Sequence, residues 1–162
     1  MKTNFIVWRT IKLGTLKNSD ALRKAMKKAD FKIGYGGNDI LGKPAFTVVS
    51  AEEEIQLVNL SVADLGFKEG ANYGNICAKA KELGLELCPN EVGPQLRLQY
   101  KNQPKGEYLR IAMEPITDSD GDGYLNIFLV VHDDDGLWLH GRSGDSDYLH
   151  YSNFRFVFRL RK

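Results

Sequence analysis

The only histidines of the chain, His132, His140 and His150, lie beyond Pro115 among eight aspartates. Imidazole and carboxylate together move protons near neutral pH, so a small hydrolase using Asp/His acid–base chemistry is one function this set allows. The spacing works against a shared site. In a hairpin turning at Asp134-Asp135, His132 pairs near Leu137, and His140 then falls on the opposite face. The sequence also holds no His-x-x-x-His pair, no Gly-x-Ser-x-Gly turn and no cysteine–histidine constellation with useful context. Whether the chain is an enzyme is left open, with the balance against it.

A second chemistry is suggested by Asp118-Ser119-Asp120-Gly121-Asp122-Gly123. Oxygen ligands at loop positions one, three and five before a glycine suit calcium, and Leu125 fits the apolar eighth position. Position twelve is Leu129 instead of a bidentate glutamate, so calcium would need a further carboxylate from Asp133, Asp134 or Asp135. The competing reading is an Asp-Gly hairpin turn. Calcium through Asp118, Asp120 and Asp122 is the only cofactor the sequence offers.

A third set lies between Trp138 and Phe154: His140, Arg142, Asp145, Asp147, Tyr148, His150, Tyr151 and Asn153, with Ser and Gly between them. Tyrosine brings large contact area at low entropic cost, and Ser, Gly, Asn and Asp bring adaptable hydrogen bonds, as in a paratope. A stretch of this length between strands is uncommon unless it is functional or disordered. These eight residues are the expected ligand-binding face, with Trp138 and the C-terminal phenylalanines as framework.

Composition sets the same region apart. Lys, Glu, Gln and Met supply 29 of the first 114 residues and none of the 47 from Pro115 to Arg161. At the upstream frequency roughly 12 would be expected. One explanation is that strands and turns disfavour these types. The other is genetic: with Trp, they are the residues that no pyrimidine-ended codon encodes. Mutagenised Asn-type codons would yield the Asn, Asp, Tyr, His, Ser, Gly, Phe, Leu and Arg found, and Trp138 is the exception.

The runs Glu82-Leu83-Gly84-Leu85-Glu86-Leu87-Cys88-Pro89, Glu91-Val92-Gly93-Pro94-Gln95-Leu96-Arg97-Leu98-Gln99-Tyr100, Gln103-Pro104 and Ile111-Ala112-Met113-Glu114-Pro115-Ile116-Thr117-Asp118-Ser119-Asp120-Gly121 resemble an uncharacterised protein family of small-genome, uncultivated bacteria. So do Gly136-Leu137-Trp138-Leu139 and Phe156-Val157-Phe158. The resemblance covers nearly the whole chain and implies no activity. A constant body (1–114) with a changeable C-terminus (115–162) is in turn similar to the variable proteins of diversity-generating retroelements. That likeness implies a non-catalytic recognition protein, often with a C-type-lectin-like domain, whose partner is an unknown protein or glycan ligand. The alternative is a carbohydrate- or calcium-binding module of fixed specificity.

The elements that would position these residues read as one α+β domain over 1–162. Strands are expected at Phe5 to Leu13, Phe46 to Ser50 and Ile55 to Leu60, the last two flanking an acidic turn at Glu52-Glu53-Glu54. Two helices fit the apolar periodicity, Asp20 to Ala29 capped by Ser19 and Tyr73 to Leu83 ended by Gly84. Gly34-Tyr35-Gly36-Gly37-Asn38 reads as a turn, because it lacks the spacing of a phosphate cradle. From Gln95 onward a period of two predicts antiparallel sheet: a hairpin of Gln95–Tyr100 with Leu109–Met113, another of Tyr124–His132 with Leu137–His140, and a last strand from Phe154 to Arg161.

Charge and length exclude other classes. Residues 1–114 carry 17 basic against 13 acidic side chains and residues 115–162 carry 5 against 8, too mild an asymmetry for a nucleic-acid binder. No apolar run approaches the ~20 residues that span a bilayer, and the N-terminus lacks the order of a secretory signal. A cytoplasmic address is expected, with an exported or surface form left open. Cys77 and Cys88 do not form a Cys-x-x-Cys pair, and packing is the expected role.

Overall fold

The computed structural model of the chain describes residues 4–119 and 123–161. It is an α+β fold, built on a nine-stranded mixed sheet. The strands are β1 (Arg9–Leu13), β2 (Lys32–Ile33), β3 (Glu53–Ser61), β4 (Ala71–Asn72), β5 (Leu85–Glu86), β6 (Tyr108–Ile111), β7 (Ile116–Thr117), β8 (Leu125–Asp133), β9 (Gly136–Ser143), β10 (Leu149–His150) and β11 (Arg155–Leu160). The main path runs β1-β3-β11-β6-β8-β9-β2, with β5 on β11 and β7 on β8, while β10 and β4 form a separate pair. The C-terminal strands therefore do not make a sheet of their own. β11 lies in the middle, antiparallel to β3 from the N-terminal half and parallel to β6.

Four α-helices occur among the described residues: α1 (Ser19–Lys28), α2 (Tyr35–Leu41), α3 (Tyr73–Glu82) and α4 (Val92–Gln99). α1 follows its apolar stripe, burying Leu22 and Met26, but its cap is Asn18 and not Ser19, which is the first helical residue; the Asn18 side chain accepts from the Ala21 amide at 2.9 Å. α3 begins at Tyr73 and ends before Gly84, as its pattern predicts, and Asn72 caps it by accepting from the Asn75 amide.

The other two helices correct the sequence reading. Gln95–Tyr100 is not a strand: Gln95 to Gln99 belong to α4, which Tyr100 caps, and Val92 to Arg97 are all buried. Leu96 and Leu98 alternate with polar residues by coincidence, because Arg97 between them is itself interior. Pro94 is tolerated because it sits in the first turn, where its missing N–H leaves no bond unmade. The run Gly34–Asn38 is likewise the start of α2 and not a turn. Its glycines let the helix lie directly on β9: a Cβ on Gly37 would stand 2.6 Å from the Leu139 carbonyl oxygen.

Strand boundaries also shift. Phe46 to Ser50 forms no strand, because side chains take up its backbone groups: Asn90 and Glu91 accept from the Thr47 and Val49 amides at 3.1 and 2.9 Å. Glu53 and Glu54 belong to β3, paired with Leu13 and Lys12, instead of forming a turn. Phe5 lies outside β1 but packs on the core. The β8–β9 hairpin turns at Asp134-Asp135 as its signals indicate, with His132 opposite Leu137.

Candidate functional site

Cross-strand pairing sets out the outer face of β6, β8 and β9 in rows. Tyr108, Val131 and Trp138 form one row, and Arg110, Leu129 and His140 the next, with Ile127 and Arg142 beyond them. Leu129 and Val131 are fully buried, yet they stand outside the main hydrophobic core. The arginine and aromatic side chains of the flanking strands share this face with them.

At one end of this face a cavity of about 410 Å³ is lined by Tyr108, Arg110, Arg142, Asn153, Phe154 and Arg155. Such a volume suits a small ligand. Arg110 is 8% exposed, its Nε has no partner, and its guanidinium lies 3.9 Å from the centre of the Phe154 ring. No described residue forms a hydrogen bond or ion pair with it. Burial, and then the charge of Arg142, lower its pKa to about 10, so it stays cationic at neutral pH. Arg155 is oriented by Asn59, donating through Nε to Oδ1 at 2.9 Å, and stands 3.9 Å from Asp64. Arg142 is exposed and donates to the Gly141 carbonyl at 2.9 Å. The acid on the wall, Glu107, is engaged by the Tyr100 hydroxyl at 2.8 Å.

The stretch from Leu139 to Asn153 is folded down instead of forming a free loop. β9 runs on to Ser143, Asp145 and Asp147 shape an exposed turn, and β10 pairs with β4. The carbonyls of Ser146 and Tyr148 accept from the first amides of α3, Gly74 and Tyr73, at 2.9 and 3.0 Å. Of the eight expected binding residues, Arg142 and Asn153 line the cavity. Tyr148 and Tyr151 are exposed nearby, the first within electrostatic reach of Arg110 and the second 5.1 Å from the Phe154 ring. His140 stacks on Trp138 at 4.8 Å, half-buried, its pKa lowered by burial and then by Arg142.

His150 is placed differently from the expectation. It is 2% exposed, ringed by Tyr73, Tyr148, Phe154 and Phe156, and neither ring nitrogen has a partner. It supports the cavity wall through Phe154 and offers no surface of its own.

The histidines do not converge. His132 accepts or donates through Nδ1 to the Gln103 carbonyl at 2.7 Å, on the face opposite His140. Asp118 is half-buried beside Asn126, while Asp120 and Asp122 of the calcium motif lie outside the described residues. Among the described residues no group of three or more His, Cys, Asp or Glu is arranged to hold a metal. Burial pushes the Cys77 thiol up to about 11 and raises Cys88 as well, so both are protonated packing residues. No described helix is long and apolar enough to cross a membrane.

Tyr108, Arg110 and Arg155 are the site residues missed by sequence reasoning. Arg110 alternates with Leu109 and Ile111, which reads as a solvated face. Only the fold puts that face under Phe154. Family models, curated proteins and solved structures offer no match to this chain.

Proposed function

We propose that the chain is a non-catalytic ligand-recognition protein whose binding face joins the C-terminal tract to the body of the fold. The observation that carries this reading is the cavity at that junction. Arg142, Asn153, Phe154 and Arg155 come from the tract and Tyr108 and Arg110 from β6, while Tyr148, Leu149 and Tyr151 are exposed on the tract beside it. Concave shape, oriented cations and exposed aromatic rings are what recognition sites share.

The retroelement likeness adds that the tract varies between copies while 1–114 stays constant. A C-type-lectin-like domain is one frame for such display. The role itself needs only rigidity, which the β6–β8–β9 ladder backed by α4 supports. A near-copy of the gene's 3′ end, differing at template adenines beside a reverse transcriptase, is the expected genomic neighbour.

The binding face is tested on isotope-labelled protein, titrated with a library of small fragments and simple sugars. Perturbed amide signals should cluster at 106–110, 142 and 153–155. Hits confined to another surface, or none at all, would remove the reading.

A further inference from the structure

Arginine side chains are retained in protein interiors when acceptors satisfy their five N–H groups. Arg110 departs from this. It is more than nine-tenths buried, its Nε is unpartnered, and its guanidinium lies over the face of Phe154 at 3.9 Å. A second guanidinium, Arg142, lines the same cavity from β9, while Arg155, also on its wall, is held by Asn59 and lies 3.9 Å from Asp64. Arg110 and Arg142 carry like charge in one cavity and neither forms an ion pair with a described residue; burial first, and then the charge of Arg142, lower the pKa of Arg110. Glu107, the acid on the wall, is turned to Tyr100 and Gln103, from which one of its oxygens accepts, and forms no ion pair with Arg110 or Arg142.

An oxyanion would relieve all of these costs together. Guanidinium matches carboxylate and phosphate in a planar, two-point geometry, and the charge-assisted bonds are strengthened where water is partly excluded. The rings of Tyr108, 43% exposed, and Phe154 line the same cavity and add an apolar shelf beside the cations. We propose that this cavity takes the carboxylate or phosphate head of a small ligand, with Arg110 as the buried anchor, Arg142 as the exposed clamp, and the ligand's apolar part on Tyr108 and Phe154. This inference rests on the recognition reading above and names the ligand class for it.

The test is a titration of the full chain at constant ionic strength with inorganic phosphate, acetate, benzoate and the neutral analogue benzamide, followed through the arginine Nε–H and backbone amide signals. Saturable shifts at Arg110 and Arg142 with phosphate or with the carboxylates are expected, and the stronger of the two shows which head the site prefers. Benzoate should bind more tightly than acetate if the rings contribute. Arg142→Ala, at an exposed position, should keep the fold and weaken binding about tenfold or more. Arg110→Met should abolish it.

Equal binding of benzoate and benzamide at the cavity would overturn the anion assignment and leave ligand recognition standing. Unchanged affinity in both arginine variants would do the same. No shift at the cavity with any of the four probes would overturn the anion assignment, and if the fragment library also misses the cavity, recognition there falls with it.

Discussion

Two interior arginines, thirteen residues apart, are treated in opposite ways. Arg97 on α4 is fully buried and donates to the carbonyls of Tyr100, Val131 and Trp138 at 2.6, 3.0 and 3.3 Å and to the Gln103 side chain at 2.7 Å. Arg110 on β6 is nearly as buried, but no described residue accepts from it. The first clamps the helix to the β8–β9 hairpin. The second contributes no bond to the fold and faces a cavity. The contrast teaches that burial of a charge marks architecture where acceptors converge on it and marks a binding site where they do not.

The largest expected effect comes from Arg97→Met. It withdraws the donor from three carbonyls and a buried amide at once, and should cost roughly 3 kcal/mol or more. Urea denaturation would show it as a fall in midpoint at unchanged slope. A loss under about 1 kcal/mol would erase the distinction between the two arginines, because Arg97 would then hold nothing together.

Acid should act on the cavity side. His150 carries two unpartnered ring nitrogens, and burial, followed by the charge of Arg110, lowers its pKa to about 4. The unfolded chain titrates near 6.5, so it takes the proton first. Stability is therefore intact above about pH 6.5 and declines by up to about 3 kcal/mol as pH falls to about 4. His150→Phe should flatten this decline. An unchanged pH profile in that variant would show that other groups dominate.

These contrasts were only partly legible in the sequence. The β8–β9 hairpin could be read because Asp133-Asp134-Asp135-Gly136 is local turn chemistry between alternating runs, and α1 and α3 because their apolar stripes are local too, although the cap of α1 falls one residue before the expected Ser19. α4 could not, since a helix buried on most sides has no stripe, and its Leu–Arg–Leu order imitates a strand. α2 was hidden because glycines that permit close packing look the same in sequence as glycines that make turns. The candidate site was half visible. Arg142, Asn153, Tyr148 and Tyr151 stood out by type, but Arg110 and Tyr108 belong to it only through the β6–β8 pairing, which is a long-range event.

A smaller test sharpens the Arg97 side. Gln103 is 3% exposed, accepts from Arg97 and donates to the Val130 carbonyl at 3.1 Å. Gln103→Leu keeps the approximate volume but strips one acceptor from a buried cation, and should cost about 2 kcal/mol. Combined with Arg97→Met the two losses should add to less than their sum, because the second change removes a bond already broken. Strict additivity would mean the two side chains act independently.

The smallest effect should also have the opposite sign. Arg110→Met removes a buried charge that gains no hydrogen bond, relieves its repulsion of Arg142 and of protonated His150, and leaves an apolar stem to pack on Phe154. Replacing a poorly paired interior charge by an apolar residue of similar length is neutral or stabilising, here by about 1 kcal/mol, even after the contact with the Phe154 ring is lost. The gain should grow as pH falls toward 4, where His150 becomes charged. A destabilisation approaching that of Arg97→Met would mean that Arg110 is part of the architecture after all, and the cavity would lose its anchor.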